Sequence, residues 1–283
     1  MSKIAVIGLV GESVFMTVDR HQAVGETAHA TSIHREWGGK GYNQAVAAAR
    51  FGAEVSFLGA VSASDVEAVS AAAASDGITP VLIPKSEATA YAAIVTDKTG
   101  DNRVTVFGGA KLTATDVEAF RENIESADIL LLNNEVPEEV NLLAAEIAAS
   151  ASTRIIINPA PARKISDRLV RAAELLTPNE HEASAIAEKE KLIVTLGGDG
   201  CLISSLGITV PIYDVGTPTD TTGAGDTFSG TLAVALAEDC DLLTSCRIAS
   251  AASAIEVTRR YVMPAIPKRE ETLALYRKIY GNS

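Results

Sequence analysis

The eleven residues DTTGAGDTFSG at positions 220–230 bring together the groups that could do chemistry. Gly223, Ala224 and Gly225 stand just before an alanine-rich stretch of helical character, so successive backbone N–H groups can converge on an anion at the positive end of a helix. Asp226 falls in the first turn of that helix, aimed into the same space. Amides that hold a phosphoryl group, beside a carboxylate that takes a hydroxyl proton, suit phosphoryl transfer to an alcohol. Such transition states are loose, so positioning and electrostatics outweigh base strength. The plainer reading is a glycine turn with Asp226 as a helix-capping acid.

A second run, WGGKGYNQA at 37–45, is again glycine-rich and opens a helix. Gly38, Gly39 and Gly41 allow backbone to approach a small polyol, Lys40 supplies donors, and Asn43 both donates and accepts. A flexible turn with a helix cap is its plainer reading. Neither common phosphate fingerprint is present. GxxxxGK[ST] fails because His34 stands five before Gly39, and GxGxxG fails because Gln44 occupies the third glycine position. A nucleotide must be held in another way.

These groups need a frame. Short apolar runs at 4–7, 54–61, 128–132, 154–157, 175–177 and 192–196 read as strands. Alanine-rich or amphipathic stretches at 44–51, 65–75, 137–149, 180–188, 224–237, 242–257 and 270–279 read as helices. Apolar strands buried on both faces and separated by helices imply an α/β fold with a mostly parallel sheet. Residues 91–96 and 103–107 flank the polar turn DKTGDN as a hairpin, and 202–204 with 209–213 suggest antiparallel strands. The polar alternation around 11–34 and 88–108 fits a small β-sheet projecting as a lid from a single domain over 1–283. Polar and Gly-rich segments fall after the predicted strands, at Asn134-Glu135, Asn158-Pro159, Asn179 and 195–200, where ligands of parallel sheets bind.

Composition narrows the function. Of 283 residues 47% are hydrophobic and 21% charged, a globular balance. Lys and Arg number 24 against 36 Asp and Glu, a net charge of −12 that argues against a nucleic-acid partner. Three cysteines without CxxC spacing argue against a disulfide framework or a cysteine zinc site, and four histidines form no HExxH. The N-terminal apolar run is broken at Gly8, Gly11 and Glu12, so no signal peptide or membrane span is expected, and a cytoplasmic location is.

Taken together, GGKGYNQA at 38–45 and the 220–230 run resemble the N- and C-terminal signatures of the ribokinase-like, or PfkB, family of carbohydrate kinases. NPAPA at 158–162, TPNEHEA at 177–183, VTLGGDG at 194–200 and the stretch from Ala252 ending VTRR at 257–260 also resemble ribokinase segments, in order along the chain. The resemblance implies a three-layer sandwich with a lid, and ATP-dependent phosphorylation of a primary hydroxyl of a small sugar or polyol. By that resemblance Asp226 is the base, with Gly223, Ala224 and Gly225 as the anion hole. Gly38, Gly39, Lys40, Asn43 and Glu135 hold the sugar together with Asp226, and Gly11 and Ser13 stand at the family's further sugar-contacting positions. Asn179 and Glu182 match an N-x-x-E motif acting on Mg²⁺ and phosphate through water. Thr195, Leu196, Gly197, Gly198, Asp199 and Gly200 match the ATP phosphate loop, and Ser250 an adenine contact. Asp220 and Thr222, with the backbones of Glu256, Arg259 and Tyr261, stand at the family's K⁺ positions. A homodimer through the lid is implied as well.

Departures bear on the substrate. Ribokinases carry N-x-D where this chain has Gly11 and Ser13, so a charged acceptor for two adjacent sugar hydroxyls is lost unless Glu12 or Asp19 turns inward. Tyr261 and Ala265 replace a glycine and a serine of the cation site, which weakens the case for potassium although backbone carbonyls could suffice. The connection over 183–191 is short, and 61–65 lacks a Gly-Asp-Asp turn. Ribose is one candidate sugar. A nucleoside kinase of the same superfamily and a non-catalytic sugar- or nucleotide-binding regulator are the rival expectations.

Overall fold

Five-residue runs such as ILLLN at 129–133 are too short for a buried helix and rich enough in branched side chains to pair as interior strands. In the computed structural model, which describes residues 1–281, they do so. The last two positions of the expected 1–283 domain lie outside the described residues. The elements run β1 (Lys3–Ile7), β2 (Gly11–Val18), β3 (Ala30–Gly38), α1 (Lys40–Arg50), β4 (Glu54–Ser62), α2 (Val66–Ser75), β5 (Ile78–Lys85), β6 (Ala90–Thr96) and β7 (Asn102–Phe107). There follow α3 (Arg121–Glu125), β8 (Ile129–Asn133), α4 (Glu138–Ala151), β9 (Arg154–Asn158), α5 (Asp167–Ala172), β10 (Leu175–Leu176), α6 (Glu180–Ser184) and β11 (Ile193–Thr195). The chain closes with β12 (Cys201–Ile203), β13 (Ile208–Val210), α7 (Ala224–Ala237), α8 (Leu242–Glu256) and α9 (Arg269–Tyr280).

Six strands form a parallel sheet in the order β10-β9-β8-β1-β4-β5. Strand alternation divides the core into two layers. Ile4, Val6, Ile129 and Leu131 pack on one face with residues of α1, α7 and α8, while Ala5, Ile7, Leu130 and Leu132 pack on the other with residues of α3, α4 and α5. The result is the expected three-layer α/β sandwich. An antiparallel sheet β11-β12-β13 continues beside β10 through the bridges Leu176↔Leu192 and Asn179↔Thr195.

A separate four-stranded sheet, β3-β2-β6-β7, stands over the carboxyl ends of the central strands. Its first segment runs to Gly38, beyond the expected limit of 34, and so leads directly into α1. Helix α1 itself starts at Lys40 rather than Gln44, because Gly39 takes φ 103° and turns the chain into the helix there. The helix expected over 180–188 stops at Ser184, where the Lys189 ammonium holds the Ala183 carbonyl at 2.6 Å, and a 3₁₀ turn follows at Lys189–Lys191. Among the described residues no helix is long and apolar enough to cross a membrane.

Candidate active site

Asp226 lies in the first turn of α7, 5% exposed, on the wall shared by two cavities. Its Oδ2 accepts a hydrogen bond from Asn43 Nδ2 at 2.8 Å and its Oδ1 one from Gln44 Nε2 at 3.0 Å. Both donors sit in the first turns of α1, so the start of α1 meets the start of α7 at one carboxylate. Gln44 is itself fixed by Asn158 Oδ1 at 3.2 Å, and Asn158 Nδ2 donates to the Thr177 carbonyl at 2.7 Å. Gln44 is not among the residues the sequence singles out; it stands in the GGKGYNQA motif, and its complete burial is what marks it. With both oxygens held by neutral amides, the carboxylate is oriented by hydrogen bonds that leave its charge in place.

One cavity, of about 300 Å³, lies under the lid. Gly11, Ser13, Gly38, Gly39, Lys40, Asn43, Glu135, Thr222, Gly223 and Asp226 all line it, so the sequence-predicted substrate residues converge here. Glu135 Oε2 accepts the Lys40 backbone N–H at 2.7 Å, tying the end of β8 to the start of α1. Burial, and next the charge of Asp226, push the Glu135 carboxyl up to about 7, against the pull of Lys40. The Lys40 ammonium is held above its ordinary range chiefly by Asp226, with Glu135 and Glu182 adding to it. Glycine at 39 is required on two counts, its positive φ and an approach that would set a Cβ 2.7 Å from the Leu9 carbonyl oxygen.

The second cavity, about 570 Å³, continues from the first past Lys40, Gly223 and Asp226. It is lined by Asn179, Glu182, Thr195, Leu196, Gly197 and Gly225. Gly223 precedes α7 at φ 92°, and no side chain caps the helix start, which leaves its first-turn amides to face the cavity. Asn179 and Glu182 form a reciprocal cap on α6, Asn179 Oδ1 accepting the Glu182 N–H at 2.8 Å and Glu182 Oε2 accepting the Asn179 N–H at 2.9 Å. The motif thus performs its plain structural role while presenting a carboxylate to the cavity. A third cavity, about 230 Å³, is lined by Gly198, Gly200, Ala224, Phe228, Ser250 and Ser253. Asp199 lines neither this cavity nor the second and is exposed.

Beneath the start of α7, Asp220 Oδ1 accepts the Thr222 N–H at 3.0 Å and Oδ2 the Tyr261 N–H at 3.3 Å. Glu256, wholly buried, has no hydrogen-bond partner on either carboxylate oxygen among the described residues. Desolvation, then the charges of Asp220, Asp226 and Glu36, push its carboxyl up to about 9. The Arg259 side chain turns away, to the Ala265 carbonyl at 3.3 Å and to Glu271. Of the two residues that could replace the missing sugar-gripping aspartate, Asp19 pairs with Lys98 at 2.8 Å and is largely exposed, whereas Glu12 lines the cleft but pairs with Arg35 at 2.7 Å.

The family model for pfkB family carbohydrate kinases matches residues 1–269. A ribokinase of Bacillus subtilis is 36% identical over 288 residues, covering 96% of this chain and 98% of its own. The structure is similar to that of a ribokinase from Thermotoga maritima, with TM-score 0.87, 31% identity, and 98% and 100% of the two chains covered. It is also similar to an Arabidopsis thaliana ribokinase solved with ribose and ATP, with TM-score 0.85, 25% identity, and 98% and 99% covered.

Proposed function

This chain belongs to the pfkB family of carbohydrate kinases and is an ATP-dependent sugar kinase, and from that premise we propose that it phosphorylates a primary hydroxyl of a pentose, ribose being the first to test, with Asp226 as the base. The observation that carries the reading is the position of Asp226, on the one wall common to the cavity under the lid and the cavity at the start of α7. A sugar hydroxyl in the first cavity meets a phosphoryl group in the second at the junction formed by Lys40, Gly223 and Asp226, where Asp226 is the carboxylate. Asp226, fixed by Asn43 and Gln44, takes the hydroxyl proton. The first-turn amides around Gly223, Ala224 and Gly225 receive the equatorial oxygens of the phosphoryl group, and the Lys40 ammonium offsets their charge. Ser250 and its neighbours in the third cavity take the base of the nucleotide. The relatives named ribokinase, one of them solved with ribose and ATP, support ribose as the sugar. Ser13, in place of a charged acceptor, offers weaker discrimination against a sugar lacking one ring hydroxyl.

The donor set fits the metal ions that this chemistry uses. Glu182 presents a carboxylate to the phosphate cavity while giving one oxygen to the α6 cap, which suits a water-mediated hold on Mg²⁺. When bound, that ion supplies charge neutralisation on the nucleotide phosphates. The two orphaned oxygens of Glu256, close enough to Asp220 to feel its charge, fit a cation beneath the anion hole. A dimer formed through the lid completes the reading; its support is the exposed apolar surface that the lid carries at Ile33, Val104, Val106 and Phe107.

The test is ATP consumption across pentoses, hexoses and nucleosides with wild type and Asp226→Asn. The expected result is turnover with a pentose that falls about a hundredfold or more in the variant while sugar binding persists, as loss of a general base requires. Equal turnover in the two proteins would remove Asp226 from the role. A nucleoside preferred over every sugar would move the assignment to nucleoside kinases, and binding without turnover in wild type would favour a regulator.

A further inference from the structure

The lid does not merely stand above the cleft; it is fastened to the segment that follows α8. Tyr261 adopts φ 66°, a left-handed conformation that costs free energy in any residue with a Cβ. Its ring is stacked on the imidazole of His34 from β3, with centroids 3.9 Å apart and planes 15° from parallel. Phe15 of β2 meets the same ring edge-on at 5.2 Å. His34 and Phe15 are cross-strand partners, so one row of the lid sheet clamps one ring. The next row adds a polar fastening. Glu36 accepts the Val262 N–H at 3.0 Å and the Met263 N–H at 3.3 Å, and its Oε2 lies 2.9 Å from His34 Nε2. On its other side Tyr261 donates its own N–H to Asp220, whose second oxygen holds Thr222 at the rim of the sugar cleft.

We infer that Tyr261 is a positioning residue, an aromatic clasp that holds β2 and β3 against the loop before α7 and so assembles the lid wall of the sugar cleft before any sugar arrives. The strained backbone is maintained because the lid side chains pack on the ring. Sugar binding to a cleft already walled does not have to order the lid, so the clasp acts on apparent affinity rather than on the chemical step. The inference rests on the kinase reading for its kinetic consequence but not for its structural one.

Two variants separate ring from backbone. Tyr261→Gly removes the clasp and suits the left-handed φ, so its backbone is not strained; Tyr261→Phe keeps the stacking surface. Hydrogen exchange in the sugar-free, full-length protein is expected to quicken about tenfold or more in β2 and β3 of Tyr261→Gly, with β1, β4 and β8 unchanged and Tyr261→Phe close to wild type. With ribose as the probe, KM is expected to rise about tenfold in Tyr261→Gly at a kcat within about threefold of wild type, and Tyr261→Phe to restore it. Lid exchange in Tyr261→Gly equal to wild type overturns the inference, whatever the sugar. So does a fall in kcat at unchanged KM. Failure to turn over ribose in wild type bears on the sugar assignment alone, because the exchange comparison needs no turnover.

Discussion

Glu135 and Asp226 share one cleft, and the first is the group whose charge state should be visible in activity. Its carboxyl is pushed up to about 7 by burial first and by Asp226 second, while Lys40 opposes the shift. Below that pH it is neutral and loses its strength as a hydrogen-bond acceptor for a sugar hydroxyl. We therefore expect kcat/KM for the sugar to fall as pH drops from about 8 to 6, and this inflection to vanish in Glu135→Gln. For stability the sign is opposite. A carboxyl raised from 4.5 to about 7 by folding stabilises the native state fully only below 4.5, and that contribution is lost as pH rises through about 7. Thermal melts should show Glu135→Gln gaining on wild type above neutrality; no change in the difference between pH 5 and 8 would contradict the ionisation assigned here. At this scale much of the site was legible, since Lys40, Asn43, Glu135 and Asp226 stand in glycine-rich or strand-end segments that announce themselves. Gln44 and Glu36 were not, because their significance lies in partners that only the fold brings near, and Glu256 was legible for its backbone alone, its orphaned carboxylate oxygens being visible only in the fold.

Helices α1 and α7 carry the residues proposed for the two sides of the reaction, and a glycine lies where they meet most closely. A Cβ at Gly230 would come 2.4 Å from the Gln44 carbonyl oxygen and 2.8 Å from Ala47 Cβ. Gly230 lies four residues beyond Asp226 on α7, and both amides holding Asp226 come from α1. Gly230→Ala should push the helices apart, destabilise the protein by about 1–3 kcal/mol in denaturant melts, and lower kcat more than tenfold by misplacing the proposed base, in keeping with the cost of small displacements. A variant of wild-type stability and turnover would show that the helices yield at no cost. Helix α7 was read at its observed limits, because the glycine run before it and the apolar run within it leave no other register. The strand β5 was missed: Pro80 and Pro84 argue against a strand, yet β5 lies at the sheet edge, where a missing donor can be tolerated. The lid reached further than expected because the WGG segment looked like a turn, whereas Trp37 and Gly38 pair with Glu12 and Gly11 as the end of β3.

The dimer proposed above would form through the lid sheet. Its register sets Glu36, Ser13, Ala92 and Val106 in one row and His34, Phe15, Ile94 and Val104 in the next. Directly opposed residues share a face, so both rows look into the cleft. At the β3 end the rows are fastened to the segment around Tyr261. At the β7 end Val104 and Val106 remain 54% and 66% exposed, apolar side chains on an inner surface that the described residues leave largely uncovered. An uncovered apolar row continuous with a substrate cleft is where a second lid can lie across the first, closing both clefts and burying both sets of valines. Val106→Glu would place a carboxylate in that buried row of each copy, and like charges meeting across a two-fold axis repel without a partner. Light scattering behind size exclusion at about 10 µM should give twice the chain mass for wild type and the chain mass for Val106→Glu, since a dimer of this kind is governed by protomer concentration. The variant's KM for the sugar should rise as well, because the wall supplied by the second lid is gone. A wild-type protein of single-chain mass at ten times that concentration would leave the valines to face solvent and would end the argument for a lid-mediated dimer.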